Sequence, residues 1–188
     1  MRKELKNFDW HTYGVSEDDF DYTVRLVEEI IEDRQNHLQT KIDQIKVYDF
    51  DGNLLDNSTG VADEAIDDLQ YYNYIDHLFL WQFALWRLQG VFEGILKQEF
   101  FADKKLQGLK AKLNFVKDLG FTISDKDFQE LIDWGQLRNA LSHNPPEQYR
   151  PAGLGANDIS DYVKLVKRLT ADLKKQKSKT PTASKNET

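Results

Sequence analysis

One stretch, from about residue 63 to 101, limits the fold more than any other part of this chain. It carries Ile66, Leu69, Leu78, Trp81, Leu85, Trp86, Val91, Phe92, Ile95 and Leu96. Spacings of three and four place such residues on the faces of one long helix. They fall on more than one face, so this helix is either central to a bundle or also faces a second subunit. Gly90 and Gly94 mark where so long a helix would bend.

The rest of the chain supplies helices to pack around it. Ser16, followed by Glu17, Asp18 and Asp19, reads as an N-cap with acids in the first turn. The helix it opens carries Val24, Val27, Ile30, Ile31, Leu38, Ile42 and Ile45. Residues 47–60 interrupt the pattern, with Asp51-Gly52-Asn53 as a turn signal. A basic helix over about 103–119 follows, with Gly120 placed to end it. Ser124, with Asp127 three residues on, caps the next helix. Asn144-Pro145-Pro146 stops that helix, because proline disfavours helical geometry in the residue before it. After a Pro/Gly-rich connector, a last helix is predicted over about 159–175. The expectation is an all-α bundle of about five helices in a single domain, residues 1–176. Residues 1–60 form its acidic N-terminal helix and loop, and 177–188 are expected as a disordered tail.

Composition narrows the chemistry. The 188 residues are 40% hydrophobic and 12% aromatic, enough for a full core. There is no cysteine, which excludes disulfides, thiolate metal sites and a cysteine nucleophile. Met1 to Asn7 lacks an apolar run, so no secretory leader is expected. The apolar run near Leu78–Leu88 is broken by Gln82 and Arg87, which argues against a membrane span. A cytoplasmic protein with no membrane partner is expected. Net charge is −7. Residues 1–76 hold 7 Lys+Arg against 19 Asp+Glu, whereas residues 77–188 hold 18 against 13. That division permits a phosphate-binding face on an acidic molecule.

The chemistry-bearing residues cluster at the end of the 127–143 helix. On a helical wheel at about 100° per residue, Phe128, Leu131, Ile132 and Gly135 share one face. In the last two turns Arg138, Asn139, Ser142 and His143 take over that arc. Trp134, Leu137 and Leu141 form a neighbouring apolar face. Gly135 costs the helix about 1 kcal/mol against alanine, so its place suggests close approach of another backbone.

Arg138-Asn139-x-x-x-His143 on a late, proline-terminated helix resembles the HEPN family of nucleic-acid-associated helical domains. Those domains carry Arg, four to six residues, then His, often with Asn directly after the Arg. The resemblance covers about residues 63–175. It implies a metal-independent endoribonuclease, a toxin or defence effector, that acts on RNA as a homodimer with two motif helices lining one cleft. An implied partner is a nucleotidyltransferase-like antitoxin or another defence-system protein. His143 would serve as acid/base, Arg138 would stabilise the phosphate, and Asn139 would orient the ring or bind phosphate. Ser142 is a further candidate phosphate contact. Some relatives carry a tyrosine two residues after the histidine, the target of nucleotidylation. Here that position is Pro145, and the nearest downstream tyrosine is Tyr149. The alternative is a non-catalytic HEPN-like module binding RNA, a nucleotide or a partner protein. There Arg138 would pair with a carboxylate of the long helix while His143 caps the helix end.

Two other patterns are set aside. Val47 to Asp56 looks like the first motif of haloacid-dehalogenase-type phosphatases, but the chain after it is helical, so a loop or short hairpin is expected. An EF-hand fails because Gly52 comes too early and Gly60 stands where a bidentate Glu belongs. His11, His37 and His77 lack partners at metal-ligand spacing, so neither metal nor cofactor is expected. Trp81 and Trp86 are expected in the core or a dimer interface.

Overall fold

The computed structural model describes residues 14–45, 47–48, 50–55, 63–102, 104–143 and 153–179. Five helices carry the fold: α1 (Asp18–Asp43), α2 (Asp63–Phe100), α3 (Leu109–Asp118), α4 (Asp125–His143) and α5 (Ala156–Lys179). A two-residue antiparallel hairpin, β1 (Val47–Tyr48) with β2 (Leu54–Leu55), joins α1 to α2. The expected all-α bundle is therefore observed, and the 47–60 interruption contains a short hairpin.

Helix α2 is the central element, packing against α1, α3, α4 and α5. It runs unbroken through Gly90 and Gly94. Helix α1 lies antiparallel along it. Val15 meets Gln98, Asp19 meets Arg87 and Arg34 meets Asp76, so the partner recedes along α2 as α1 advances. Every buried residue of α2 lies between Trp81 and Leu96. That half meets Phe20 of α1, Leu113 and Val116 of α3, Leu131 of α4, and Ile159, Tyr162 and Val166 of α5 in one core. Burying each such side chain contributes about 1.5–3 kcal/mol.

Helix ends follow local chemistry, with three departures from expectation. Helix α1 starts at Asp18, and the Asp19 carboxylate accepts the Ser16 backbone N–H at 2.7 Å, so the acid caps the serine's amide rather than the reverse. Helix α3 starts at Leu109 and not near Asp103, because Gly108 has φ 76° and ψ 151°, which a helix cannot hold. Helix α5 reaches Lys179, so Lys177 to Lys179 belong to the helix and not to a tail. Lysine and serine sustain a helix, and Lys177 Nζ is held by the Glu99 carboxylate and carbonyl at 2.8 Å. Residues 180–188 lie outside the described residues. Gly120 does end α3: with φ 91° it lets its own N–H reach the Lys117 carbonyl and the Phe121 N–H reach Val116.

The charge asymmetry of the sequence is resolved within the fold. Glu17, just before α1, and Asp19 and Asp21 within it pair with Lys174, Arg87 and Lys167. Each exposed pair is worth less than about 1 kcal/mol, but together they lay the acidic helix against the basic half of the chain. No helix among the described residues is long and apolar enough to cross a membrane.

Candidate functional site

Helix α4 is anchored at its start and carries its polar groups at its end. The Asp127 N–H donates to Ser124 Oγ at 3.1 Å, the cap read from the sequence. The Asp127 carboxylate also accepts both terminal nitrogens of Arg168, at 2.6 and 3.1 Å. The Arg168 hydrogen bonds hold its carboxyl below the usual carboxylate range, against the opposing effect of burial. One residue thus starts α4 and ties it to α5.

Further along, α4 uses two faces. Leu131 is fully buried. Trp134 leans on Tyr162 of α5, ring centroids 5.2 Å apart. Gly135 meets side chains and not a backbone. A Cβ there would sit 3.6 Å from Leu109 Cδ2 and 3.9 Å from Gln89 Nε2, ordinary contact distances. The expected close backbone approach is therefore replaced by the side chains of α2 and α3.

Arg138 follows one turn later, half-buried. Its Nε donates to Gln89 Oε1 of α2 at 3.2 Å. Gln89 is 2% exposed, and its own Nε2 donates to Glu93 Oε1 at 2.8 Å. Glu93 is neutralised by Lys112 of α3 through a close ion pair. The resulting string runs Arg138, Gln89, Glu93, Lys112 across three helices. Among the described residues Glu93 has its cation, whereas Arg138 has a neutral amide and no carboxylate. The pairing of Arg138 with a carboxylate of the long helix is not formed; an amide stands in that place.

Tyr162 lies beside this string. Its hydroxyl is buried with no hydrogen-bond partner among the described residues. Burial pushes it well above the usual phenol range, Glu93 adds to that, and Arg138 offsets part of it.

The remaining predicted residues sit as follows. Ser142 Oγ donates to the Arg138 carbonyl at 2.7 Å, a bond back along its own helix. Asn139 is exposed and makes no hydrogen bond among the described residues. His143 closes α4, and its side chain lies outside the described part of the structure, as do Pro145 and Tyr149. The sequence reading missed Gln89, Glu93, Lys112 and Tyr162. One signal was available: Gln89 and Glu93 are four apart on α2, in line with the apolar core residues Trp81, Leu85 and Leu96 that flank them.

Beyond the string, Lys105 and Lys110 near the start of α3 are exposed and pair with no acid among the described residues. That start packs on Gly135 through Leu109, about one turn from Arg138. Comparison with protein-family models, with curated proteins and with solved structures finds no match to this chain. The resemblance to HEPN domains thus rests on the Arg138-Asn139-x-x-x-His143 motif and on helical order.

Proposed function

We propose that this chain is a metal-independent endoribonuclease of the HEPN type, a toxin or defence effector working as a homodimer in the cytoplasm. The observation that carries the reading is the state of Arg138. A half-buried guanidinium oriented by an amide keeps its full charge and its terminal nitrogens for an oxyanion.

The chemistry needs no group beyond RNA and the side chains. His143 takes the proton of a ribose 2′-OH while that oxygen attacks the adjacent phosphorus. The P–O5′ bond breaks, and the departing 5′-oxygen takes its proton from the imidazolium of His143. The products are a 2′,3′-cyclic phosphate and a 5′-hydroxyl. Arg138 stabilises the extra negative charge of the pentacoordinate phosphorus, an effect worth about 3–4 kcal/mol in comparable sites. Asn139, exposed beside it, orients the ring or the phosphate.

Support for a homodimer comes from α2. Phe79, Phe83 and Trp86 are spaced by four and three residues, so they share one face, and all are 45–62% exposed. Phe83 and Trp86 pack edge to face with centroids 6.2 Å apart. With Tyr22 and Leu26, exposed on the antiparallel α1, the exposed apolar area is roughly 500 Å² at about 150–250 Å² per large side chain. Two copies joined there would bury about 1,000 Å², the area a specific interface has to reach. Trp86 precedes Gln89 by one turn, so this patch borders the face that anchors Arg138.

The test is incubation of purified protein with structured RNA in EDTA, beside a His143→Ala variant. The reading requires cleavage by the wild type alone, with 2′,3′-cyclic phosphate ends. Intact RNA in both samples, or equal cleavage by both, sinks it. The second reading, a non-catalytic RNA-binding module, is favoured by the Ser142 back-bond, which directs that hydroxyl proton at the helix itself.

A further inference from the structure

The outer half of α2, away from the core, holds a second group of polar residues that the α4 chemistry does not use. There α1 and α2 enclose an open cleft of about 240 Å³. Arg34, His37 and Lys41 enter it from α1, spaced by three and four residues and so on one face. Tyr72, Asn73 and Asp76 enter from α2, over a floor of Leu38 and Leu69.

Charge in this cleft runs against its surroundings. Residues 1–76 hold 7 Lys+Arg against 19 Asp+Glu, yet two of those seven cations line this one cleft with a single acid. Asp76 pairs with Arg34 and fixes it. Lys41 and His37 have no acidic partner among the described residues. The cleft therefore keeps a net positive charge when its one ion pair is formed. Within an acidic helix pair, such a spot attracts an anion that the rest of the surface repels.

The other wall is ordered. Asn73 Nδ2 lies 3.2 Å from His77 Nε2 just outside the cleft. Burial, with Arg34 adding to it, favours the neutral form of His77, which suits a ring accepting from that amide. Tyr72 exposes 64% of its surface, and its one ring partner among the described residues, Tyr71, meets it in an edge contact with centroids 5.7 Å apart, which leaves ring surface for a flat group. Apolar floor, aromatic wall and convergent polar rim are the parts of a small-molecule site. The volume is below the roughly 300–1,000 Å³ of drug-sized pockets, which limits the occupant to a small molecule.

We propose that the α1–α2 cleft binds a small aromatic oxyanion, its headgroup held by Lys41 and His37 and its ring laid on Tyr72. The headgroup chemistry is shared by phosphate monoesters and carboxylates, and the probes separate them. The proposal is independent of RNA cleavage at α4.

The experiment is titration of the full chain with phenyl phosphate, benzoate, inorganic phosphate and phenol, followed by ¹H–¹⁵N chemical shifts. At least one aromatic anion should saturate with a Kd below about 1 mM, with phenol at least about tenfold weaker. Lys41→Ala and His37→Ala should each weaken the aromatic anion about tenfold, and Lys41→Gln checks that charge rather than length matters. Tyr72→Ala should weaken the aromatic anions while leaving inorganic phosphate unchanged. These residues are exposed, so the variants keep the fold. Arg138→Ala should leave every titration as in the wild type. No saturation by about 10 mM of either aromatic anion overturns the proposal, as does binding that Lys41→Ala and His37→Ala leave intact.

Discussion

Replacing Gln89 by leucine is the sharpest test of how the α4 site is held. Gln89 is 2% exposed, accepts from Arg138 Nε at 3.2 Å and donates to Glu93 at 2.8 Å. Both partners are charged, and hydrogen bonds of that class contribute about 1.5–3 kcal/mol each. Arg138 is half-buried and the Glu93 side chain is 17% exposed, so water replaces part of what is lost. Leucine fills a similar volume and returns some apolar burial. Gln89→Leu should therefore destabilise the protein by about 2–3 kcal/mol. In equilibrium urea unfolding, a slope of about 2 kcal/mol per molar turns that into a midpoint lower by roughly 1 M. Part of the loss belongs to the Arg138 contact, so in an Arg138→Leu background the same substitution should cost at least about 1 kcal/mol less. An unchanged or raised midpoint would refute the network, and so would equal costs in the two backgrounds.

Other outcomes follow from the packing. Gly90→Ala should stabilise by about 0.5–1 kcal/mol, because nothing lies within 4 Å of the added Cβ and alanine favours the helix. Gly94→Ala should destabilise by about 1–3 kcal/mol in the same urea unfolding, since its Cβ would fall 2.6 Å from Val15 Cγ2. The Asp127 carboxyl is held below its ordinary value by Arg168, so its contribution is complete above about pH 4 and is lost as pH falls through the depressed value. Asp127→Asn should remove that acid-side loss from urea midpoints measured between about pH 5 and 2. If α2 carries the dimer contact, Phe83→Glu should leave the fold intact and yield a monomer at micromolar concentration by sedimentation. A wild-type monomer under those conditions would contradict the shared cleft.

Periodicity and end signals made most of the architecture legible. The spacing in 63–101 predicted α2 to within a residue, and Gly120 and the Ser124–Asp127 pair predicted the ends they form. The start of α3 was missed because leucine and lysine spacing continues through 103–108, while the backbone at Gly108 does not. The end of α5 was missed because a lysine-rich run reads equally as tail or helix until Glu99, far away in sequence, holds Lys177. The wheel located Arg138 on the face it occupies. Its partner was not legible, because Gln89 lies 49 residues earlier and no local pattern couples the two. The same holds for Glu93 and Lys112. Tertiary partners of single polar residues depend on how helices are set against each other, and periodicity carries only which face each helix buries.

The central claim is that a neutral amide at position 89 leaves the Arg138 charge available to a phosphate. The rate of RNA cleavage in EDTA by Gln89→Glu, set against wild type, tests it most directly. A carboxylate there would pair with Arg138 and compete for it. The account predicts a folded variant that cleaves at least about tenfold more slowly than an active wild type. A folded Gln89→Glu protein that cuts at the wild-type rate, or a wild type that leaves RNA whole, would contradict it.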